Sequence, residues 1–281
     1  MKIEYEWIGT GKDHLVIETG IGCPYYEWRS LCEHLASDYR ILLYHRQGYG
    51  KSPESIRPRD TTSISVELHE LLLSLEVNVP FTLLGHSYGG LCAQHFTRLF
   101  PHLVKHLILV DSTSKNFMTL YELGTPVLNS YIALEQMIEA NKVRSTKTQA
   151  ELTNEIPSDS VEEMKAFLTS PLLYQTVADE FSLWEHSSET MKKSGPFPDL
   201  PLTIIARAPE VSALPFIKHG IPAEEAYRYE QRWHELQQEL SRLSKKGEMV
   251  IAKGSDHEIH LDRPDQVIEC LLKSKKSGAC T

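Results

Sequence analysis

The sequence is poor in cysteine, and its cysteines do not form a close pair. Five cysteines occur in 281 residues, and none stands in a Cys-x-x-Cys spacing. An odd count without such pairs argues against a disulfide framework and against a structural zinc site. We therefore expect a reducing, cytoplasmic setting.

Long apolar runs and an excess of positive charge are also missing. No run approaches the roughly 20 apolar residues of a membrane span, and residues 1–6 lack the layout of a signal peptide. The chain has 29 Lys and Arg against 38 Asp and Glu, a net charge of -9. These features exclude a membrane or a nucleic acid as the leading partner.

The residues that are present predict one large α/β domain or one domain with an insertion. Ile3, Tyr5 and Trp7 alternate as in a half-buried strand, and short apolar runs typical of buried parallel strands follow at 15–17, 41–44, 81–84, 107–110, 202–205 and 249–251. Stripes of helical spacing lie between the runs, at 28–35, 64–75, 91–99 and 229–243, and a last stripe follows them at 264–272. This alternation predicts a mostly parallel central sheet flanked by helices.

Residues 112–200 interrupt the alternation because they contain helical patterns and no convincing strand. Ser160 and Glu163 have the spacing of a capping box before one of these helices. The segment carries 7 Lys and Arg against 13 Asp and Glu. It is either a solvated helical surface or an acidic lid over a pocket.

The strongest local motif is Gly85-His86-Ser87-Tyr88-Gly89-Gly90, which follows one predicted strand and precedes a helix. This is the Gly-x-Ser-x-Gly pattern in the strand–turn–helix setting that exposes a nucleophilic serine. The Tyr88 amide would point at a developing oxyanion.

A serine nucleophile needs a base, and the loop after the run at 249–251 offers two histidines. His257 is the predicted base and His260 is its rival. The stretch from His257 to His260 is one residue short of the His-Glu-x-x-His zinc motif. The predicted chemistry needs neither a metal nor a cofactor.

These motifs together resemble the α/β-hydrolase fold superfamily over nearly the whole chain. The nucleophile turn, the segment Tyr44 to Ser52 with Gly48 and Gly50, and the spacing Gly254, His257, Asp262 and Pro264 carry the resemblance. The resemblance assigns the base to His257. It implies a hydrolase core at 1–111 and 201–281 and a helical cap at 112–200, inserted after the sixth strand of the usual eight. The first strand is expected to be absent.

The resemblance also implies an oxyanion hole built from the amides of Tyr88 and Ile21, the latter next to Gly20. Three positions depart from the family pattern: Thr19 and His45 replace its usual histidine and aspartate, and no Gly-x-x-Asp follows the strand at 202–205. The acid of a Ser-His-acid triad is therefore Asp111, at the end of the strand at 107–110, or Glu210, or absent.

Three functions remain open from the sequence. The first is a serine hydrolase that cleaves a small-molecule ester or amide through an acyl-enzyme. The second is an aminopeptidase-like member whose acidic cap binds a substrate amino group. The third is a non-catalytic ligand-binding or signalling homologue. The sequence does not indicate an oligomeric state.

Overall fold

The computed structural model describes residues 2–277 and contains a seven-stranded sheet. Its strands are β1 (Tyr5–Ile8), β2 (Asp13–Glu18), β3 (Tyr39–Tyr44), β4 (Phe81–His86), β5 (Val104–Val110), β6 (Leu202–Arg207) and β7 (Gly247–Ala252). The order across the sheet is β1-β3-β2-β4-β5-β6-β7, and β1 pairs antiparallel with β3 while the other pairs are parallel. Each strand lies at a run expected from the sequence, so the predicted fold class is confirmed.

Helices connect the strands and cover both faces of the sheet. Within the described residues they are α1 (Arg29–Glu33), α2 (Thr61–Ser74), α3 (Ser87–Leu99), α4 (Pro126–Tyr131), α5 (Leu134–Ser145), α6 (Gln149–Thr153), α7 (Glu162–Leu168), α8 (Pro171–Ser182), α9 (Trp184–Lys193), α10 (Pro209–Lys218), α11 (Ala223–Ser241), α12 (Ile259–Asp262) and α13 (Pro264–Ser277). Short 3-10 turns occupy Tyr25–Trp28, Pro101–Leu103 and Phe117–Leu120. No helix in this part of the chain has the length and apolar character that crossing a membrane requires.

Apolar side chains fill the space on both faces of the sheet because strands buried on both sides have no polar face. One cluster includes Val16, Leu83 and Leu107. The other includes Ile17 and Leu84 from the alternate positions of two of the same strands. The central strands β2, β4 and β5 are thereby packed on both faces, and their carboxyl ends lie along one edge of the sheet.

The segment between β5 and β6 contains α4 to α9 and lies over that edge. The expected capping box at Ser160 is wrong: α7 begins one residue later, with Val161 as its N-cap and no capping side chain. Thr148 and Glu151 form a capping box instead, at the start of α6. The extra residue between Ser160 and the first helical turn moves the Ser160 hydroxyl out of register with the free amides.

Candidate active site

Ser87 lies at the sharp turn where β4 ends and α3 begins. Its φ of 54° is in the left-handed region, which stores backbone strain and exposes the side chain. The turn can form because Gly89 and Gly90 have no side chain, which allows neighbouring residues to pack directly against the backbone. A Cβ on Gly89 would lie 2.2 Å from the Thr19 carbonyl oxygen, and one on Gly90 would lie 2.1 Å from Ser112 Oγ. A side chain at either position would therefore prevent this turn from packing against residues 19 and 112.

His257 follows β7 on the loop before α12, and it contacts both Ser87 and Asp111. Its Nε2 lies 3.0 Å from Ser87 Oγ. Its Nδ1 lies 2.5 Å from Asp111 Oδ2. An ionised carboxylate only accepts hydrogen bonds, so Nδ1 carries the proton and Nε2 is free to accept one from the serine hydroxyl.

Asp111 follows β5 and is fully buried at the carboxyl edge of the sheet. Its backbone also has a positive φ, 41°. Oδ1 accepts hydrogen bonds from Trp233 Nε1 at 2.8 Å and from the Arg207 amide at 3.3 Å, while Oδ2 accepts a second bond from Arg207 Nη1 at 3.0 Å. Burial alone would raise the pKa of Asp111. The Arg207 charge and the His257 and Trp233 hydrogen bonds outweigh burial and lower this pKa below its ordinary value.

Arg207 stands near the strand end where the family's usual acid was expected, and it joins two carboxylates. Its Nε and Nη2 bind Glu230 at 2.8 Å and 2.7 Å, while Nη1 binds Asp111. All three side chains are buried. Sequence reasoning missed this cluster. The signal was present, because an arginine two residues after the apolar run at 202–205 is at the end of a buried strand and needs an anionic partner.

Glu210 and His260 are not brought into this hydrogen-bonded group. Glu210 is exposed in the first turn of α10, beyond the end of β6. His260 is buried and stacks on Trp28, with ring centroids 4.1 Å apart. Between the two candidate acids, the structure therefore places Asp111, not Glu210, against the imidazole.

The expected oxyanion-hole residues border the serine. Tyr88 is in the first turn of α3, where amides have no partner within the helix. Gly20 precedes Ile21 and lies against the nucleophile turn, since a Cβ on Gly20 would be 3.4 Å from the Cβ of Ser87.

A cavity of about 320 Å³ opens beside Ser87 and His257. Four aromatic side chains form much of its wall: Trp184, Phe216, Tyr229 and Trp233. The carboxylates that line it are those of Glu230 and Asp256. Both lie outside residues 112–200, so the carboxylates that line the cavity do not come from that segment.

Among residues 2–277, His86, Glu258 and His260 come close enough together to be considered as metal ligands, with ligand atoms within 4.8 Å of one another. The His86 Nε2 lies 3.1 Å from the His257 carbonyl oxygen and 3.7 Å from the Glu258 carboxylate. A carbonyl oxygen can only accept, so this nitrogen carries a proton and cannot coordinate a metal while that bond is made. Burial, with the charges of the neighbouring histidines, holds the pKa of His86 well below its ordinary value.

A serine on a strand-to-helix turn, a loop histidine and a buried aspartate thus meet at the carboxyl edge of a mostly parallel sheet. Comparison with known proteins shows the family to which a chain with this sheet belongs. Residues 13–176 match the model of the alpha/beta hydrolase fold family. The chain belongs to this family, which confirms the resemblance drawn from the sequence motifs and supports a hydrolase.

Similar proteins include hydrolases of more than one kind. The uncharacterized protein YqjL of Bacillus subtilis is 23% identical over 266 residues, which are 95% of this chain and 84% of that protein. Epoxide hydrolase 4 of Homo sapiens is 26% identical over 118 residues, 41% of this chain and 32% of its own. A thermophilic esterase from Thermogutta terrifontis has a TM-score of 0.65 at 17% identity, over 98% of this chain and 93% of that one.

Proposed function

We propose that the protein is a serine hydrolase that cleaves a small-molecule ester or amide through an acyl-enzyme intermediate. The observation that carries the proposal is the continuous hydrogen-bonded chain from Asp111 through His257 to Ser87, with distances of 2.5 Å and 3.0 Å. Through these two hydrogen bonds the base contacts the nucleophile, and a buried acid orients the base. Activation of a serine hydroxyl requires both contacts.

In the proposed reaction Ser87 Oγ attacks the substrate carbonyl carbon while His257 Nε2 takes the hydroxyl proton. The tetrahedral oxyanion is held by the amides of Tyr88 and Ile21. His257 then gives the proton to the leaving group, and the carbonyl re-forms as an acyl-serine. Water attacks this ester with the same histidine as base, and Ser87 is released with its proton.

The cavity supports a small, largely apolar substrate. Its volume of about 320 Å³ is near the lower end of ligand-binding cavities. The aromatic wall would bury an apolar acyl or alcohol group, whereas both Glu230 oxygens are already bonded to Arg207. Glu230 is therefore not available to bind a substrate amino group. The epoxide-opening and dehalogenating members of the fold use an aspartate nucleophile, and the nucleophile position here is Ser87.

Covalent labelling tests the proposal directly. A fluorophosphonate probe should label the wild-type protein at Ser87, as located by peptide mass spectrometry, and p-nitrophenyl acetate or butyrate should be hydrolysed. Labelling should be lost when His257 is replaced, because the hydroxyl then has no base. A folded protein that neither reacts with the probe nor cleaves these esters would favour the non-catalytic alternative.

The acid can be tested with a matched pair of amide substitutions. Asp111→Asn should lower kcat by up to ~10⁴, because the amide favours the wrong tautomer of His257. Glu210→Gln should leave kcat within about twofold, since Glu210 is exposed and does not contact the imidazole. Both variants are assayed well below their melting temperatures because Asp111 is also a buried acceptor. A larger loss in the Glu210 variant would contradict the assignment.

The pH dependence follows from the surroundings of His257. Burial favours its neutral form, but the hydrogen bond and charge of Asp111 outweigh burial and raise the pKa of His257, with Arg207 opposing. The base must be neutral to accept the serine proton. The rate of fluorophosphonate labelling should therefore rise with pH through an inflection above about 6.5, the ordinary histidine value. An inflection below that value would show that Asp111 does not control this imidazole.

A further inference from the structure

The backbone on both sides of Ile21 is held by two side chains that follow β3. Arg46 Nη1 donates to the Thr19 carbonyl at 2.7 Å, and Arg46 Nη2 donates to the Gly20 carbonyl at 3.1 Å. The Gly22 amide donates to Tyr49 Oη at 2.7 Å. Residues 19–22, which we name the oxyanion loop, are thereby fixed immediately before and after the residue whose amide is proposed to hold the oxyanion.

Arg46 and Tyr49 are in turn held by one carboxylate of helix α8, in the segment between β5 and β6. Glu180 accepts from Arg46 Nε at 3.1 Å and from Arg46 Nη2 at 3.2 Å. Tyr49 Oη donates to Glu180 Oε2 at 2.6 Å. The three side chains are buried, with exposures of 0% for Glu180, 1% for Arg46 and 0% for Tyr49.

Packing between α8 and two glycines supports the same connection. Gly22 has a φ of +68°, and a Cβ there would lie 3.4 Å from Val177 of α8. Gly48 has a φ of +88°, and a Cβ there would lie 2.0 Å from Thr176 Oγ1. Thr176, Val177 and Glu180 therefore meet the oxyanion loop and the turn after β3 along one stretch of helix.

Burial makes this arrangement stiff. Arg46 Nη1 also binds Glu18 at 2.6 Å, so its guanidinium lies between two carboxylates that are both out of solvent. Moving α8 away would leave buried charges without partners, which is strongly unfavourable. The helix is thus tied to the hydrolase core at the oxyanion loop.

We propose that Arg46, Tyr49 and Glu180 are positioning residues that hold the oxyanion loop, so that the Ile21 amide is aimed at the developing oxyanion. Helix α8 then helps to position the oxyanion hole in addition to lying over the edge of the sheet. The inference rests on the proposed function, because it concerns the same oxyanion. It predicts that these residues affect the transition state more than substrate binding.

A pair of Tyr→Phe variants tests the inference. Tyr49→Phe should lower kcat about 10-fold with KM within about twofold; the 10²–10³ lost on removing a whole oxyanion donor sets the upper limit. Tyr39→Phe is the control, since Tyr39 is equally buried and its hydroxyl donates to the Leu271 carbonyl at 2.7 Å, far from the loop. Equal losses of kcat in the two variants would overturn the inference.

A tetrahedral adduct separates positioning from general destabilisation. The affinity for a boronic acid that bonds Ser87 should fall in Tyr49→Phe by about the factor lost in kcat/KM. Glu180→Gln should show the same pattern. The loss in the double variant should be smaller than the product of the single losses, because the two residues act through one contact. Independent, multiplying losses or an unchanged boronic acid affinity would contradict the inference.

The outcomes also distinguish this inference from the proposed function. If the wild type hydrolyses esters and is labelled at Ser87, but Tyr49→Phe behaves like Tyr39→Phe, only the positioning role fails. If the wild type shows neither labelling nor hydrolysis, the proposed function fails first and the positioning role fails with it.

Discussion

Replacing Ser87 with alanine is expected to lower the turnover of p-nitrophenyl esters by about 10⁶-fold, the scale seen when a triad nucleophile is removed. The reason is chemical: alanine has no oxygen to form the acyl-enzyme, and His257 then has nothing to activate. The variant should fold, because the φ of 54° at this position is already strained and alanine adds no atom to the turn. Long-time-course ester assays measure the residual turnover of the variant. Circular dichroism shows whether the variant is folded.

Ser65→Ala is the matched control for this prediction. Ser65 is also a buried serine, but its hydroxyl donates to the Thr61 carbonyl within α2. This variant should keep wild-type turnover and change only stability. Ester hydrolysis by purified Ser87→Ala at more than a few per cent of the wild-type rate would remove Ser87 as the nucleophile.

The second large effect is expected at the base. His257→Ala should be inactive to about the same extent as the serine variant, since the two residues act as a unit. His260→Ala should keep substantial kcat, because His260 stacks on Trp28 and does not line the cavity. The His260→Ala variant should instead have a lower melting temperature, because removing a buried ring leaves a cavity.

Exogenous imidazole sharpens this comparison. It can enter the space left in His257→Ala and accept the serine proton, so part of the activity should return in proportion to the concentration of neutral imidazole. It should not change His260→Ala. The opposite ranking of the two variants would mean that the base has been assigned to the wrong histidine.

The local pattern of apolar residues was sufficient to predict the fold class. Strands β2 to β6 coincide with apolar runs, because a strand buried on both faces can hold few polar side chains. The half-buried β1 was predicted from alternation, and the partly exposed β7 from a short apolar run. The helix at α11 shows the limit: its stripe predicted a start near Tyr229, whereas the helix begins at Ala223. Its first turns, rich in charged residues, carry little apolar signal before the stripe begins. The α10 helix was not predicted at all.

Glycine spacing and strand–turn–helix order are local properties of the chain, so the family, the central sheet and the candidate nucleophile and base could be predicted from the sequence. The identity of the carboxylate that contacts His257 depends on how distant segments meet in the fold. Asp111 and Arg207 lie 96 residues apart and meet because β5 and β6 are neighbours in the sheet. The contacts from Glu180 to the residues that hold the oxyanion loop also join distant parts of the sequence. Buried charges pair across the folded core, so their partners have no fixed spacing that a sequence pattern could show.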